Sequence, residues 1–198
     1  MKLLYSLVVF ISKYILKFLS KFNTKLKLFV DGRKETFSKI SVLKNKNTIW
    51  FHVASLGEFE QARPIIEQLK ISHSSYKILV TFFSPSGYEI RKNYKLADVI
   101  CYLPLDSKKN AQQFVEIVNP KMAIFVKYEF WPNFLYELKS KKIPTILVSG
   151  ILRKNQFFFK SYGGFMRNSL QAFHHFFVQN DSSKELLASI NLKNVTVA

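Results

Sequence analysis

Residues 49–60 read IWFHVASLGEFE. Ile49 to Val53 is bulky, almost wholly apolar and too short for a helix, as expected of a strand covered on both faces. The helical pattern that follows begins by Glu60 and runs to Ile71, so Ala54 to Phe59 is a strand-to-helix turn. Gly57 would let the backbone turn tightly there, and the helix start behind it can hold an anion. Glu58 would stand at the carboxyl end of the strand facing a cleft, where a carboxylate can take a proton from an attacking hydroxyl. Ser55 and Glu58 also have the spacing of a capping box, in which Glu58 does no more than close the helix start. Spacing alone leaves both readings open.

The same alternation continues outward from this stretch. Further strands are expected at 77–83, 99–103, 122–126, 145–148, 176–178 and 195–197, with helices at 108–118, 133–141 and 182–189 between them. Pro120 and Pro144 each precede a strand, where a helix has already ended. Ser182 and Glu185 suggest a capping box on the last helix. Strands separated by single helices imply right-handed crossovers and a parallel sheet, hence a Rossmann-like α/β domain over residues 48–198. Ligands bind such sheets beyond the carboxyl ends of the strands, which selects four loops: 55–58, 84–89, 127–133 and 149–153.

The loop at 127–133 reads Lys127-Tyr128-Glu129-Phe130-Trp131-Pro132-Asn133. If the strand before it continues, Lys127 and Glu129 point the same way and form an ion pair at the cleft; Trp131-Pro132-Asn133 then starts the next helix. Ser84-Pro85-Ser86-Gly87 offers small polar groups and free backbone donors. His52, His73, His174 and His175 lack partners at metal-ligand spacing and are read as structural or exposed. No Gly-x-Gly-x-x-Gly fingerprint, P-loop or nucleophile elbow occurs, which argues against dinucleotide enzymes, NTPases and α/β-hydrolases.

Thirty Lys and Arg against thirteen Asp and Glu leave a net charge of +17, which favours a polyanionic partner or an anionic membrane. A nucleic-acid role lacks any recognised module. Cys101, the single cysteine, lies in an apolar run and reads as a buried thiol. Residues 1–22 are expected to form a membrane-anchoring helix: apolar from Leu3 to Ile11, then interrupted by Lys13, Lys17 and Lys21. That spacing suits a helix dipping into the interface with its lysines snorkelling, rather than one that spans the bilayer. A cleaved signal peptide fits poorly, and a helix packed on the domain itself is the alternative. Residues 23–47 read as a basic linker, and positive flanks place the anchor's charged end on the cytoplasmic side.

Taken in order, Gly32-Arg33-Lys34, Ser55-Leu56-Gly57-Glu58, Ser84-Pro85-Ser86-Gly87, Glu129-Phe130-Trp131-Pro132-Asn133 and Gln179-Asn180 resemble the Kdo (3-deoxy-D-manno-oct-2-ulosonic acid) transferase family. The resemblance implies the N-terminal, acceptor-binding half of a GT-B fold, working on a lipid A precursor at the cytoplasmic face of the bacterial inner membrane. It also implies CMP-Kdo as donor, held by a C-terminal domain, with no cofactor and no metal. Glu58 would be the general base on the acceptor hydroxyl in an inverting transfer, with Ser55, Gly57, Ser84, Ser86, Lys127 and Glu129 around it. Two positions depart from the family pattern. Lys127 stands where many members carry a first Glu before Glu-Phe-Trp-Pro, and Arg153 lies two residues beyond the expected arginine. Because the sequence stops at Val195-Thr196-Val197-Ala198, these 198 residues alone are expected to transfer no sugar. The competing reading is a non-catalytic module that binds anionic lipid.

Overall fold

The computed structural model describes residues 1–198. Seven parallel strands form one sheet: β1 (Thr48–Val53), β2 (Lys77–Phe82), β3 (Val99–Tyr102), β4 (Met122–Val126), β5 (Thr145–Gly150), β6 (His175–Val178) and β7 (Val195–Val197). Their spatial order is β3-β2-β1-β4-β5-β6-β7. The chain therefore winds one way from β1 to β3, then returns beside β1 and winds the other way. A crevice opens at this reversal, outside the carboxyl ends of β1 and β4. The loops after those two strands are the ones that carry Glu58 and Glu129.

Burial explains why the sheet is parallel. Every residue of β1 is buried, and successive side chains feed two different cores. Trp50 packs with Phe114, Phe125 and Phe134 on one face, under helices α6 (Lys108–Val118) and α7 (Pro132–Ser140). Ile49, Phe51 and Val53 join Phe59, Ala62 and Ile66 on the other, under α4 (Leu56–Ser72). At about 1.5–3 kcal/mol per buried large side chain, both faces drive assembly. β7 closes one edge with its last two residues exposed.

Residues 23–47, expected to be a linker, are instead part of the folded body. They form α2 (Thr24–Lys34), α3 (Thr36–Ile40) and a short 3-10 turn at Ser41–Leu43. Thr36, Ile40 and Leu43 are buried, and the Thr36 hydroxyl donates to the Tyr102 carbonyl oxygen at 2.9 Å. Their lysines face solvent on helices whose other side packs, so charge counted along the chain hid the core positions. The first helix, α1 (Lys2–Leu19), lies against this body with no fully buried residue. Tyr5 fixes its start: the hydroxyl donates to Asp106 Oδ2 at 2.6 Å, and the ring meets Phe165 at 5.6 Å.

The remaining helices are α5 (Pro85–Arg91), α8 (Gly164–Leu170) and α9 (Asp181–Ala188). The cap of α9 is Asn180, whose Oδ1 accepts from Ser183 N–H at 2.8 Å. Ser182 makes no capping bond, so the expected box with Glu185 is not formed: the helix begins two residues earlier than its spacing suggested.

Candidate active site

Glu58 sits in the first turn of α4 and is 6% exposed. Its Oε2 accepts from the Ala54 backbone N–H, one residue before the helix cap Ser55, and the Ser55 side chain makes no capping bond. Half of the expected capping geometry is thus present and displaced by one residue, while Oε1 has no partner within the protein. Burial raises the Glu58 pKa above the usual carboxylate range. The Ala54 bond opposes this, the charge of Glu129 adds to it, and His52 and Lys127 pull it back. Glu58, Glu129, His52 and Lys127 therefore share one electrostatic neighbourhood at the reversal point of the sheet.

Glu129 does not pair with Lys127 as the sequence suggested. The strand ends at Val126, and Lys127 takes a left-handed conformation (φ 60°) that turns the chain. Glu129 Oε2 then lies 3.2 Å from His52 Nε2, and the Trp131 indole N–H is shared between that carboxylate (2.9 Å) and His52 Nε2 (2.8 Å). On the other side of the ring, His52 Nδ1 lies 2.9 Å from the Thr81 hydroxyl and 3.2 Å from its carbonyl oxygen. Trp50 Nε1–H donates to Thr81 Oγ1 at 2.8 Å. His52, read from the sequence as structural or exposed, is buried and structural, and links the sheet to the loop that bears Glu129. One signal was available: His52 and Thr81 are polar residues in two buried runs, and the register places them side by side.

Lys127 is half-buried, carries no ion pair, and acts on Glu58 through its charge. Ser149, at the end of β5, is also left-handed (φ 53°), where the register with β6 shifts. Two non-glycine residues in this conformation on adjacent strand ends hold strain of about 1–3 kcal/mol each, a pattern common at functional sites. Gly57 does not serve the turn attributed to it. No glycine has a positive φ, and a Cβ at Gly57 would meet nothing within 4 Å, so its absence leaves open space over the helix start. At this site it is Gly87 that permits close approach: a Cβ there would stand 2.8 Å from Leu56 N. It brings the start of α5, with Ser84 and Ser86 bonded to each other at 2.8 Å, against the start of α4. Arg153 reaches the same edge, its guanidinium 5.8 Å from the Tyr128 ring centre.

Behind the loop, Asp106 is buried and receives the backbone N–H of Asn133 and Phe134, both at 3.0 Å, besides the Tyr5 hydroxyl. It closes the start of α7 and so steadies Trp131. Neither Asp106 nor Thr81 was singled out in the sequence, because their roles depend on contacts far apart in the chain.

A doubly wound parallel sheet whose strand order reverses beside β1 is a Rossmann-like α/β domain. A crystal structure of a UDP-N-acetylglucosamine 2-epimerase aligns with a TM-score of 0.55 at 14% identity, covering 77% of this chain and 48% of that one, which establishes the shared fold. The chain belongs to the 3-deoxy-D-manno-octulosonic-acid transferase (Kdo transferase) family, whose model matches residues 31–198. It is 38% identical over 117 residues to the 3-deoxy-D-manno-octulosonic acid transferase of Aquifex aeolicus, covering 59% of this chain and 31% of that protein. The Haemophilus influenzae enzyme of the same name is 32% identical over 105 residues (52% and 25%). A bifunctional glycosyltransferase/methyltransferase of Fusobacterium nucleatum is 28% identical over 170 residues (84% and 26%). The matched region thus spans about a quarter to a third of these relatives.

Proposed function

We propose that this chain is the acceptor-binding part of a glycosyltransferase that moves Kdo from CMP-Kdo to a hydroxyl of a lipid A precursor, with Glu58 as the general base. The observation that carries this reading is the Glu58 carboxylate itself. One oxygen is fixed by the Ala54 N–H, the other is free, and burial raises its proton affinity. A base is most effective when its pKa approaches the working pH, and raising a carboxylate achieves that. Attack by the acceptor hydroxyl on the anomeric carbon of the donor would pass its proton to Glu58 as cytidine monophosphate leaves, inverting the configuration.

Lys127, half-buried and unpaired, is suited to meet negative charge on the donor carboxylate or phosphate. Glu129, tied to His52 and Trp131, is better placed to hold the loop than to exchange protons. Ser55, Ser84 and Ser86 border the two converging helix starts and would contact the acceptor. In this reading the protein works at the cytoplasmic face of the inner membrane, with α1 lying in the interface. No helix is long and apolar enough to cross a membrane. Leu3, Leu7, Phe10, Tyr14 and Phe18 are each more than half exposed, a larger apolar surface than a water-facing helix usually carries. The test is direct: the full-length gene product, given CMP-Kdo and a tetraacylated lipid A precursor, should yield a precursor heavier by one Kdo or more. Hydrolysis of CMP-Kdo without a glycosylated lipid would oppose the reading.

A second reading, a lipid-binding module without catalysis, draws on the net charge of +17 and the exposed face of α1. It gives no account of a carboxylate buried at cost with one oxygen left free.

A further inference from the structure

Away from Glu58, a groove of about 710 Å³ lies between α1, α2 and the chain after β3. Its volume falls in the range of ligand cavities. Val9, Leu16, Val30, Phe37 and Leu105 give it apolar walls, and Lys13, Lys17, Lys21 and Lys109 line it with positive charge. The only acid there, Asp31, is already paired with Lys34 at 2.7 Å. α1 is pinned at Tyr5 yet buries no residue fully. An open apolar slot under a row of lysines without ion pairs leaves both its apolar walls and its charges unsatisfied within the protein. A ligand with a long apolar tail and an anionic head would satisfy both parts.

We propose that this groove holds one acyl chain of an anionic phospholipid from the surrounding bilayer, with its phosphate on the Lys13–Lys17–Lys21 row. The proposal rests on the interfacial placement of α1 and deepens it: α1 is seated on a bound lipid as well as in the membrane. The groove also adjoins the cleft. Phe29 on its wall meets Phe83 at 5.3 Å, and Phe83 stacks on Trp131 at 4.5 Å. Arg33, whose Nε is buried without a partner, donates from Nη2 to the Phe83 carbonyl oxygen at 2.7 Å. A lipid in the groove would thus lie one aromatic pair from the Glu129 loop.

The experiment uses the chain with phosphatidylcholine vesicles that contain phosphatidylglycerol bearing a photoreactive acyl chain, followed by mapping of the adducts. Expected are adducts on Val9, Val30, Phe37 or Leu105, lost in Val30→Trp, which fills the groove, while vesicle co-sedimentation persists. Replacing Lys13, Lys17 and Lys21 by Gln should weaken phosphatidylglycerol binding about fivefold for each lysine removed; these solvent-facing changes leave the fold intact if Val30→Trp does not. Adducts confined to Leu4, Leu7, Ile11 and Phe18 would overturn the groove while preserving the interfacial helix. Equal labelling from a photoreactive phosphatidylcholine would overturn selection by charge. Displacement of the adducts by the lipid A precursor, but not by unlabelled phosphatidylglycerol, would assign the groove to the acceptor and overturn the proposal. Failure to bind vesicles at all would remove the interfacial reading itself.

Discussion

Glu58 has one oxygen tied to the Ala54 amide and is held where burial opposes its charge. The sign of the consequence for stability can be worked out. A carboxyl whose pKa is higher folded than unfolded binds more protons in the folded state between those two values. Stability therefore falls as pH rises through that window, and the loss is complete above the raised value. Glu58→Gln keeps an acceptor for Ala54 and removes the charge. It should stabilise the fold at pH 7 by about 1 kcal/mol, with the gain vanishing below pH of about 4, where the unfolded carboxyl is protonated too. Urea titrations of both proteins at the two pH values check this. A variant that is both more stable and inactive would locate the cost of the site in this one group. Lys127 and Ser149 tell a similar story in the backbone, since both hold left-handed conformations that glycine would adopt more easily.

At the scale of elements, two small contacts separate observation from sequence pattern. Asn180 caps α9, whereas Ser182 only has the right spacing, so Asn180→Ala should cost about 1 kcal/mol and Ser182→Ala almost nothing by thermal melting. Asp98, at the start of β3, binds the rest of that sheet edge. Partial burial pushes its pKa up, but hydrogen bonds from Lys70, Ile78 N–H and Lys77 outweigh this and bring it down to about 2. A depressed carboxyl stabilises above its unfolded pKa and loses that contribution as pH falls through its folded one. Asp98→Asn should thus lower stability at pH 7 by about 1 kcal/mol, because the pairs are partly exposed, with the difference shrinking as pH falls through about 2 and gone only below it. The strands were legible because buried parallel strands are short continuous apolar runs, and β1, β3 and β4 are little else. The helices α2 and α3 were not, since solvent-facing lysines dominate them and Thr36, Ile40 and Leu43 are too few to show a period. Glu58 and Glu129 could be singled out by the loops they occupy. The His52–Glu129–Trp131 cluster could not, because it requires the β1–β2 register and the left-handed turn at Lys127 together.

For the molecule as a whole, the strand order brings the loops after β1 and β4 together, and the basic N-terminal helices adjoin them through Phe29, Phe83 and Trp131. In the proposed function, the charge of +17 and the exposed face of α1 serve contact with a lipid surface, and the buried carboxylate serves as the base at the cleft. Membrane attachment and proton transfer are assigned to different residues, and so they can be separated. The most direct measurement compares kcat for Kdo transfer to the lipid A precursor by the full-length gene product and its Glu58→Gln variant, alongside their binding to anionic vesicles. The account predicts a fall in kcat of about 10²–10⁴-fold, with vesicle binding unchanged. A variant that turns over within a few fold of the parent would contradict Glu58 as the base.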